Sequence, residues 1–185
     1  GTHHLIGQVL NDAGFPKGVV NVISNAPADA ATIVETLIAH PAVRRVNFTG
    51  SSKVGKIIAK LAAEHLKPVL LELGGKAPFV VLDDADIEKV ADEFVAKLAA
   101  KASHLPAGDP RGHVVLGSLI DLKAAERMDD LIADAVSKGG VVVAGGKRDG
   151  SIVEATVIDH VTPAMRIYSE ESFGPVKPII RVKGV

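Results

Sequence analysis

The sequence predicts an α/β protein organised around a largely parallel β-sheet. Short strand-like segments such as Val43–Phe48 and Pro68–Leu73 alternate along the chain with segments whose apolar residues recur at helical spacing. Connections that contain a helix join parallel strands by right-handed crossovers. Apolar residues make up 47% of the 185 residues, which is ample for a hydrophobic core and unlike a disordered chain.

Five segments show the spacing of apolar residues that is typical of helices. In the first, Leu5, Ile6, Val9 and Leu10 share one face, and Gly14 follows as a stop signal. The other helices are predicted over residues 33–38, 54–61, 88–102 and 121–138. The last of these ends where two glycines follow in succession.

Seven short runs with apolar residues, bounded by turn residues, are predicted to be strands. They are Val19–Ile23, Val43–Phe48, Pro68–Leu73, Pro78–Leu82, Val141–Ala144, Ile152–Ile158 and a last run through Ile179–Ile180. We interpret Gly145–Lys147, which follows the fifth run, as a hairpin turn.

Charge and composition exclude several classes of protein. Lys and Arg total 21 against 22 Asp and Glu, and this net charge of −1 disfavours a nucleic-acid-binding or membrane-surface protein. No apolar run is long enough to span a bilayer, so no membrane partner is expected. The chain has no cysteine, which excludes disulfides, thiolate metal sites and a cysteine nucleophile. We therefore expect a cytoplasmic α/β enzyme or a piece of one.

The segment Gly50–Lys56 has the glycine and lysine spacing of a phosphate-binding P-loop. Ile57 stands where such a loop needs a serine or threonine hydroxyl for the metal ion, which disfavours a nucleoside triphosphatase. What remains is a helix N-terminus whose free N–H groups favour a phosphate. Gly50 allows close approach to the backbone, and Ser51 can cap the helix and donate to a phosphate oxygen. An ordinary capped turn is the alternative.

Glu72 stands at the end of an apolar run, directly before Leu73 and two glycines. Active sites of α/β proteins are built at the carboxyl ends of parallel strands. A carboxylate at this position suits a general base. The alternative is an exposed strand-end glutamate that only caps a loop.

Glu170 and Glu171 are a second pair of candidate site residues. They can bind a metal, accept hydrogen bonds from a sugar, or be a solvated pair; one carboxylate can accept both hydroxyls of a ribose diol. The seven histidines include no tight cluster and no i, i+4 pair with a glutamate. We therefore expect no metal site.

Four motifs in order give the chain a resemblance to the aldehyde dehydrogenase superfamily. They are Gly14–Val22, similar to a segment that leads into a strand; Val46–Gly55, similar to the nucleotide-binding stretch; Glu72–Lys76, similar to the general-base motif; and Glu171–Pro175, similar to the nicotinamide-ribose motif. The residues around Thr2–His3, Ser24–Pro27 and Asp159–Pro175 are most similar to the branch that oxidises aromatic aldehydes such as salicylaldehyde and vanillin.

The resemblance implies a fold and an activity. Residues 1–74 would be the C-terminal part of a Rossmann-like NAD(P)-binding domain, and residues 75–185 part of a second, catalytic α/β domain. The implied reaction is the oxidation of an aromatic aldehyde to a carboxylic acid with NAD or NADP, in an enzyme that is a homodimer or homotetramer. In the family a cysteine thiolate attacks the aldehyde, hydride passes to the nicotinamide, and a glutamate activates water to hydrolyse the thioester.

The same resemblance implies the site residues. Glu72 corresponds to the glutamate that activates water. The implied cofactor-binding residues are Gly50, Ser51 and Gly55 along the diphosphate, Val54 near the adenine, Leu73, Glu171 at the nicotinamide ribose and Phe173 beside the nicotinamide.

The chain departs from the family at the catalytic nucleophile. The family's cysteine lies between the segments that correspond to Asp84–Ile87 and Ala91–Val95, and here these two segments are joined directly, near residues 87–88. Because no thiol is present, we expect the chain as written to have no aldehyde-oxidising activity of its own. The alternative is a non-catalytic nucleotide-binding or interaction remnant of the family, and a P-loop triphosphatase is the third possibility.

Overall fold

The computed structural model of the chain describes residues 2–82 and 84–182, with the backbone alone for residues 87–90. The chain divides into two compact units, unit 1 from Gly1 to Gly74 and unit 2 from Gly75 to Val185. Both units combine helices with short strands, so the predicted α/β class is confirmed. Within the described ranges, no helix has the length and apolar character needed to cross a membrane.

Unit 1 is a β–α–β arrangement preceded by two helices. Its elements are α1 (Thr2–Asp12), a 3₁₀ turn (Pro27–Asp29), α2 (Ala30–Ala39), β1 (Val46–Gly50), α3 (Ser52–Glu64) and β2 (Val69–Leu73). Strands β1 and β2 pair in parallel, as the predicted crossover through α3 requires. Ile38, Ile58 and Ala62 form a small core between α2, α3 and the sheet.

Unit 2 contains a mixed sheet and a larger core. Its elements are α4 (Ile87–Ser103), α5 (Leu122–Ser137), β3 (Val141–Ala144), β4 (Arg148–Asp149), β5 (Ile152–Val153), β6 (Thr156–Asp159), α6 (Arg166–Ser169) and β7 (Val176–Pro178). Strand β6 lies between β3, which is antiparallel to it, and β7, which is parallel. Met128 and Leu131 of α5 pack in the core with Ile158, Ile167 and Val176.

Helix α5 begins and ends where the sequence supplies the appropriate signals. The carboxylate of Asp121 accepts the backbone N–H of Ala124 at 2.7 Å, which caps the first turn. Its buried residues recur every three or four positions, so one face of the helix enters the core. Gly139 follows the helix with φ of +97°, a conformation that glycine adopts without strain.

Two predicted strands are wrong. Val19–Ile23 and Pro78–Leu82 have irregular backbone. A strand needs a neighbour for its N–H and C=O groups, and neither segment pairs with another strand among the residues that the structure describes. Apolar composition alone was therefore an insufficient signal.

Other predicted strands have different limits. Ile152–Ile158 is two strands, β5 and β6, which belong to different sheets. The last strand, Val176–Pro178, ends before Ile179–Ile180. Gly145–Lys147 is not a hairpin turn, because it joins β3 to β4, whose partners are different; the β4–β5 hairpin turns at Gly150–Ser151.

Asp159 is a buried carboxylate at the end of β6, 3% exposed. Arg181 donates to it from Nη2 at 2.7 Å and from Nε at 3.1 Å, and the backbone N–H of His160 donates at 2.7 Å. Burial raises the pKa of Asp159, but these hydrogen bonds more than offset burial and leave the pKa below its ordinary value. Arg181 also pairs with Asp92 at 2.7 Å, so the network joins α4, β6 and the C-terminal segment.

We expect Asp159→Asn to lower the free energy of unfolding of unit 2 by about 2 kcal/mol near neutral pH, because Arg181 loses its buried partner. The lowered pKa belongs to the folded state. The contribution is therefore complete above the ordinary pKa of 3.8 and is lost as the pH falls through the lowered value. The loss in the free energy of unfolding is measured by urea unfolding, followed by the fluorescence of Tyr168, the single tyrosine in a chain without tryptophan.

Glu93→Gln is the matched control for this prediction, since it removes an exposed pair with Lys97 on α4. We expect no measurable loss from it. The difference between wild type and Asp159→Asn should shrink between neutral pH and about pH 3. If wild type and Asp159→Asn differed in stability by the same amount at both pH values, the stabilising role of the ionised Asp159 carboxylate would be contradicted.

Candidate functional site

The junction of β1 and α3 forms a first candidate site, in unit 1. Gly50 ends β1, and Ser51 caps α3, its Oγ accepting the N–H of Val54 at 3.3 Å. Gly50 and Ser51 are both exposed. The first turn of α3 holds no acidic residue and carries Lys53. The helix dipole and the side-chain charge therefore both favour an anion at this end of α3.

Close packing at Gly55 brings α3 against β2. Gly55 is buried, and a Cβ atom there would lie 2.5 Å from Cδ2 of Leu73. Leu73 in turn lies opposite Gly50 in the sheet. Val54 and Leu73 remain 42% and 39% exposed. The structure thus brings Gly50, Ser51, Val54, Gly55 and Leu73 together at the carboxyl end of the β1–β2 sheet.

Glu72 lies at the same end of β2, opposite Thr49. Its side chain is exposed. A carboxylate that water can reach is able to take a proton from that water. The position therefore agrees with a general base and equally with a solvated strand-end glutamate.

A second candidate site is the segment 170–174 in unit 2. Ser172 is buried within it, 8% exposed. Phe173 has φ of +53°, which is uncommon for an aromatic residue, and its side chain is 85% exposed. Gly174 packs so closely on α5 that a Cβ atom there would lie 2.5 Å from Sδ of Met128. The segment is therefore seated on a helix with its aromatic ring directed away from the core.

Three cationic side chains hold this segment, and the sequence did not identify them as site residues. Lys76 and Arg127 donate to its backbone, and Arg166 donates to the Glu170 carboxylate at 2.8 Å. The hydrogen bond from Arg166 is the main cause that lowers the pKa of Glu170. Burial, and then the charge of Lys177, lower the pKa of Lys76. Lys76 at least belongs to the Glu72–Lys76 motif, whereas Arg127 lies in no motif that would have pointed to it.

Each unit thus gathers its own set of predicted residues. Glu72 and the five cofactor-binding residues of unit 1 share one end of its sheet. Glu171 and Phe173 lie in the segment 170–174 of unit 2. Across the part of the chain that the structure describes, no group of three or more His, Cys, Asp or Glu residues is arranged to hold a metal ion.

Comparison with known proteins identifies related enzymes. The sequence model of the aldehyde dehydrogenase family matches residues 1–92 and 87–185. The vanillin dehydrogenase of Pseudomonas fluorescens is 56% identical over 211 aligned positions, which cover 98% of this chain and 44% of that protein. The salicylaldehyde dehydrogenase of Pseudomonas putida is 44% identical over 99% of this chain and 44% of that protein.

Solved structures of related enzymes have the same fold. The salicylaldehyde dehydrogenase from Pseudomonas putida G7, complexed with salicylaldehyde, matches with a TM-score of 0.92 and 43% identity over 99% of this chain and 44% of that chain. The NADP-dependent glyceraldehyde-3-phosphate dehydrogenase from Bacillus halodurans C-125, complexed with NADP, matches with a TM-score of 0.86 and 35% identity. The match covers 96% of this chain and 42% of that chain.

The chain spans less than half the length of these relatives, and the alignment also contains an internal gap. Since 98% of 185 residues is about 181, about 30 of the 211 positions aligned with the vanillin dehydrogenase have no counterpart here. The two matches to the family overlap at residues 87–92. Enzymes of the family are oxidoreductases that use NAD or NADP. Because the family's sequence model matches both halves of the sequence, the chain belongs to the aldehyde dehydrogenase family.

Proposed function

We propose that the chain is part of an NAD(P)-dependent aldehyde dehydrogenase that oxidises an aromatic aldehyde, such as vanillin or salicylaldehyde, to the carboxylic acid. The observation that carries this is the identity of 56% and 44% to enzymes named for these two substrates, over nearly all of the chain. The longer enzyme would be cytoplasmic and a homodimer or homotetramer, as the family resemblance implies. Unit 1 supplies part of its NAD(P)-binding domain, and unit 2 part of its catalytic domain.

The residues at the carboxyl end of the β1–β2 sheet fit a dinucleotide. The exposed backbone at Gly50 and Ser51 presents the N-terminus of α3 to a diphosphate, and the buried Gly55 allows the helix to pack closely on the sheet. Val54 and Leu73 keep apolar surface exposed beside this end, suited to the flat face of a base or to the ribose. When bound, NAD or NADP supplies the acceptor for the hydride that leaves the aldehyde carbon.

The family resemblance implies a role in cofactor binding for two residues of unit 2, considered by itself. The Glu171 carboxylate would accept hydrogen bonds from the two hydroxyls of the nicotinamide ribose. The ring of Phe173, which is exposed, would pack beside the nicotinamide. Neither role requires either side chain to move a proton.

Glu72 would act in the hydrolytic half of the reaction. Its carboxylate would take a proton from a water molecule, the oxygen of that water would attack the acyl carbon, and the C–S bond of the thioester would break, which releases the acid and the thiolate. In the family the acyl group is held as a thioester on cysteine, and this chain has no cysteine. Glu72 therefore lacks its acyl substrate within these 185 residues, and the rest of the proposed enzyme would supply it.

Nucleotide binding by the purified chain tests the proposal. We expect NADH or NADPH to bind, with their own fluorescence as the signal. Ser51→Asp should weaken binding about tenfold or more, because the aspartate keeps the helix cap but repels a phosphate. Ser51→Thr keeps the cap and the neutral charge, so it is the matched control and should bind within a few fold of wild type. Failure of a folded wild-type chain to bind either nucleotide, or equal binding by both variants, would refute the nucleotide role.

A second candidate, a non-catalytic nucleotide-binding or interaction remnant of the family, is favoured by the absence of cysteine together with the gap of about 30 positions. The intact mass of the natural product distinguishes the two functions. A mass of 19.2 kDa would favour the remnant, and a mass more than twice as large would favour the enzyme.

A further inference from the structure

We propose that Lys76 and Arg127 are positioning residues that fix the backbone of the segment 170–174 and thereby orient Glu171 and Phe173 toward a ligand. Together, Lys76 and Arg127 are called the carbonyl clamp below. The identity of the ligand, the nicotinamide half of NAD(P), rests on the proposed function. The positioning of the segment by Lys76 and Arg127 does not depend on the proposed function.

The clamp is defined by three successive backbone carbonyls that each accept a hydrogen bond from a cation. Nζ of Lys76 donates to the carbonyl of Glu170 at 2.7 Å. Arg127 donates from Nη2 to the carbonyl of Glu171 at 2.7 Å, and from Nη1 to that of Ser172 at 2.9 Å. Hydrogen bonds with a charged donor are shorter and stronger than neutral ones. Because the guanidinium is rigid and planar, two adjacent peptide groups are held in one relative orientation.

The arginine of the clamp stands on a rigid support. Its neighbour in α5, Met128, is a fully buried core residue, so the helix cannot shift without disturbing the core. Arg127 also meets the Glu170 carboxylate at 3.3 Å, and Arg166 holds that carboxylate from α6. On the far side of the segment, the hydroxyl of Ser172 donates to the carbonyl of Val176 at 3.3 Å. The side chains of the first and last clamped residues, Glu170 and Ser172, are therefore held as well.

The side chains that the clamp leaves available are the ones assigned to the ligand. Among the residues that the structure describes, none donates a hydrogen bond to the Glu171 carboxylate, although the carbonyl of Glu171 is held. Phe173 has a left-handed backbone conformation, which persists only where the surroundings hold it. A segment fixed before the ligand arrives loses less entropy on binding. The clamp thus provides preorganisation rather than direct contact.

Arg127→Ala, Arg127→Lys and Lys76→Met test the clamp, with Arg111→Ala as the matched control. Arg111 is an exposed arginine of unit 2 whose partner is the nearby Asp109. The first measurement is the rate of chymotrypsin cleavage after the exposed Phe173. We expect Arg127→Ala to be cleaved about tenfold faster than wild type, and Arg111→Ala at the wild-type rate. Arg127→Lys should recover part of the protection, because an ammonium group can reach one of the two carbonyls.

The second measurement is a comparison of two affinities by calorimetry, with NADH and ADP as the probes. We expect Arg127→Ala to raise the Kd for NADH about tenfold while the Kd for ADP changes less than about twofold, because ADP lacks the nicotinamide ribose. Lys76→Met should act in the same direction. Unfolding of unit 2 would also weaken NADH alone, because the residues assigned to the ADP half belong to unit 1. The split therefore indicates positioning only in a variant whose Tyr168 fluorescence, which reports on the core of unit 2, matches that of wild type.

Each result has one consequence. Cleavage of Arg127→Ala and Lys76→Met at the rate of Arg111→Ala would overturn the clamp, and so would equal weakening of NADH and ADP binding. Faster cleavage in a chain whose wild type binds neither nucleotide would refute the proposed function and leave the positioning of the segment supported. If Arg127→Ala does not fold, as judged by Tyr168 fluorescence, Lys76→Met decides the question.

Discussion

The purified chain is expected to reduce neither NAD nor NADP when it is supplied with an aromatic aldehyde. The reason is chemical, because hydride leaves the aldehyde carbon in this family only after a thiolate has added to it, and the chain has no cysteine. Loss of a covalent nucleophile lowers turnover by at least about 10⁴-fold in enzymes where it has been removed. The measurement is the absorbance of the reduced cofactor over hours at high protein concentration.

The control for this prediction is a full-length relative assayed with the same aldehyde and cofactor. It must give ready turnover, which shows that the assay detects the reaction. Nucleotide binding by the same preparation of this chain shows that the chain is folded, so that inactivity has a chemical cause. Reduced cofactor formed by this chain above the blank would contradict the prediction and would require a nucleophile other than cysteine.

Leu131→Ala is expected to have the largest effect on the stability of unit 2. Leu131 is fully buried in the core between α5 and the sheet. Its truncation removes apolar contacts and leaves a cavity, at a cost of about 3 kcal/mol in the free energy of unfolding. Urea unfolding followed by Tyr168 fluorescence reports on unit 2 alone, because Tyr168 packs against the same core and is the single tyrosine.

Leu122→Ala is the matched control, since it makes the same substitution at the exposed start of the same helix. We expect it to change the free energy of unfolding by less than about 0.5 kcal/mol. Alanine has a higher helix propensity than leucine, so propensity cannot cause a loss in either variant. Equal losses would therefore mean that the burial of Leu131 adds nothing to the stability of α5. The core assignment would then be wrong.

Helices α1 to α5 could be predicted from the sequence because their signals are local, whereas the four-residue helix α6 was not predicted. The spacing of buried residues in α5 and the cap at Asp121 lie within a few turns of chain. Strands depend on a partner that the sequence does not specify. Val19–Ile23 and Pro78–Leu82 have suitable composition, yet neither pairs with a strand among the described residues. The division of Ile152–Ile158 between two sheets likewise depends on β3 and β7, which lie outside the segment.

The candidate site was predictable to the extent that it follows motifs. Gly50, Ser51 and Gly55 form a strand-to-helix junction whose chemistry can be deduced from residue type and spacing. The carbonyl clamp could not be predicted, because its acceptors are backbone oxygens, which every residue possesses. Lys76 and Glu170 are also 94 positions apart in the sequence. Only the folded chain brings such donors and acceptors together.

The use of backbone carbonyls as acceptors has a consequence for how the segment can evolve. The hydrogen bonds of Lys76 and Arg127 make no demand on the side chain at position 171, since they end on main-chain oxygen atoms. Support for the loop and recognition of its ligand are therefore encoded at different positions. Substitutions at position 171 can alter what is bound while the path of the backbone is inherited unchanged.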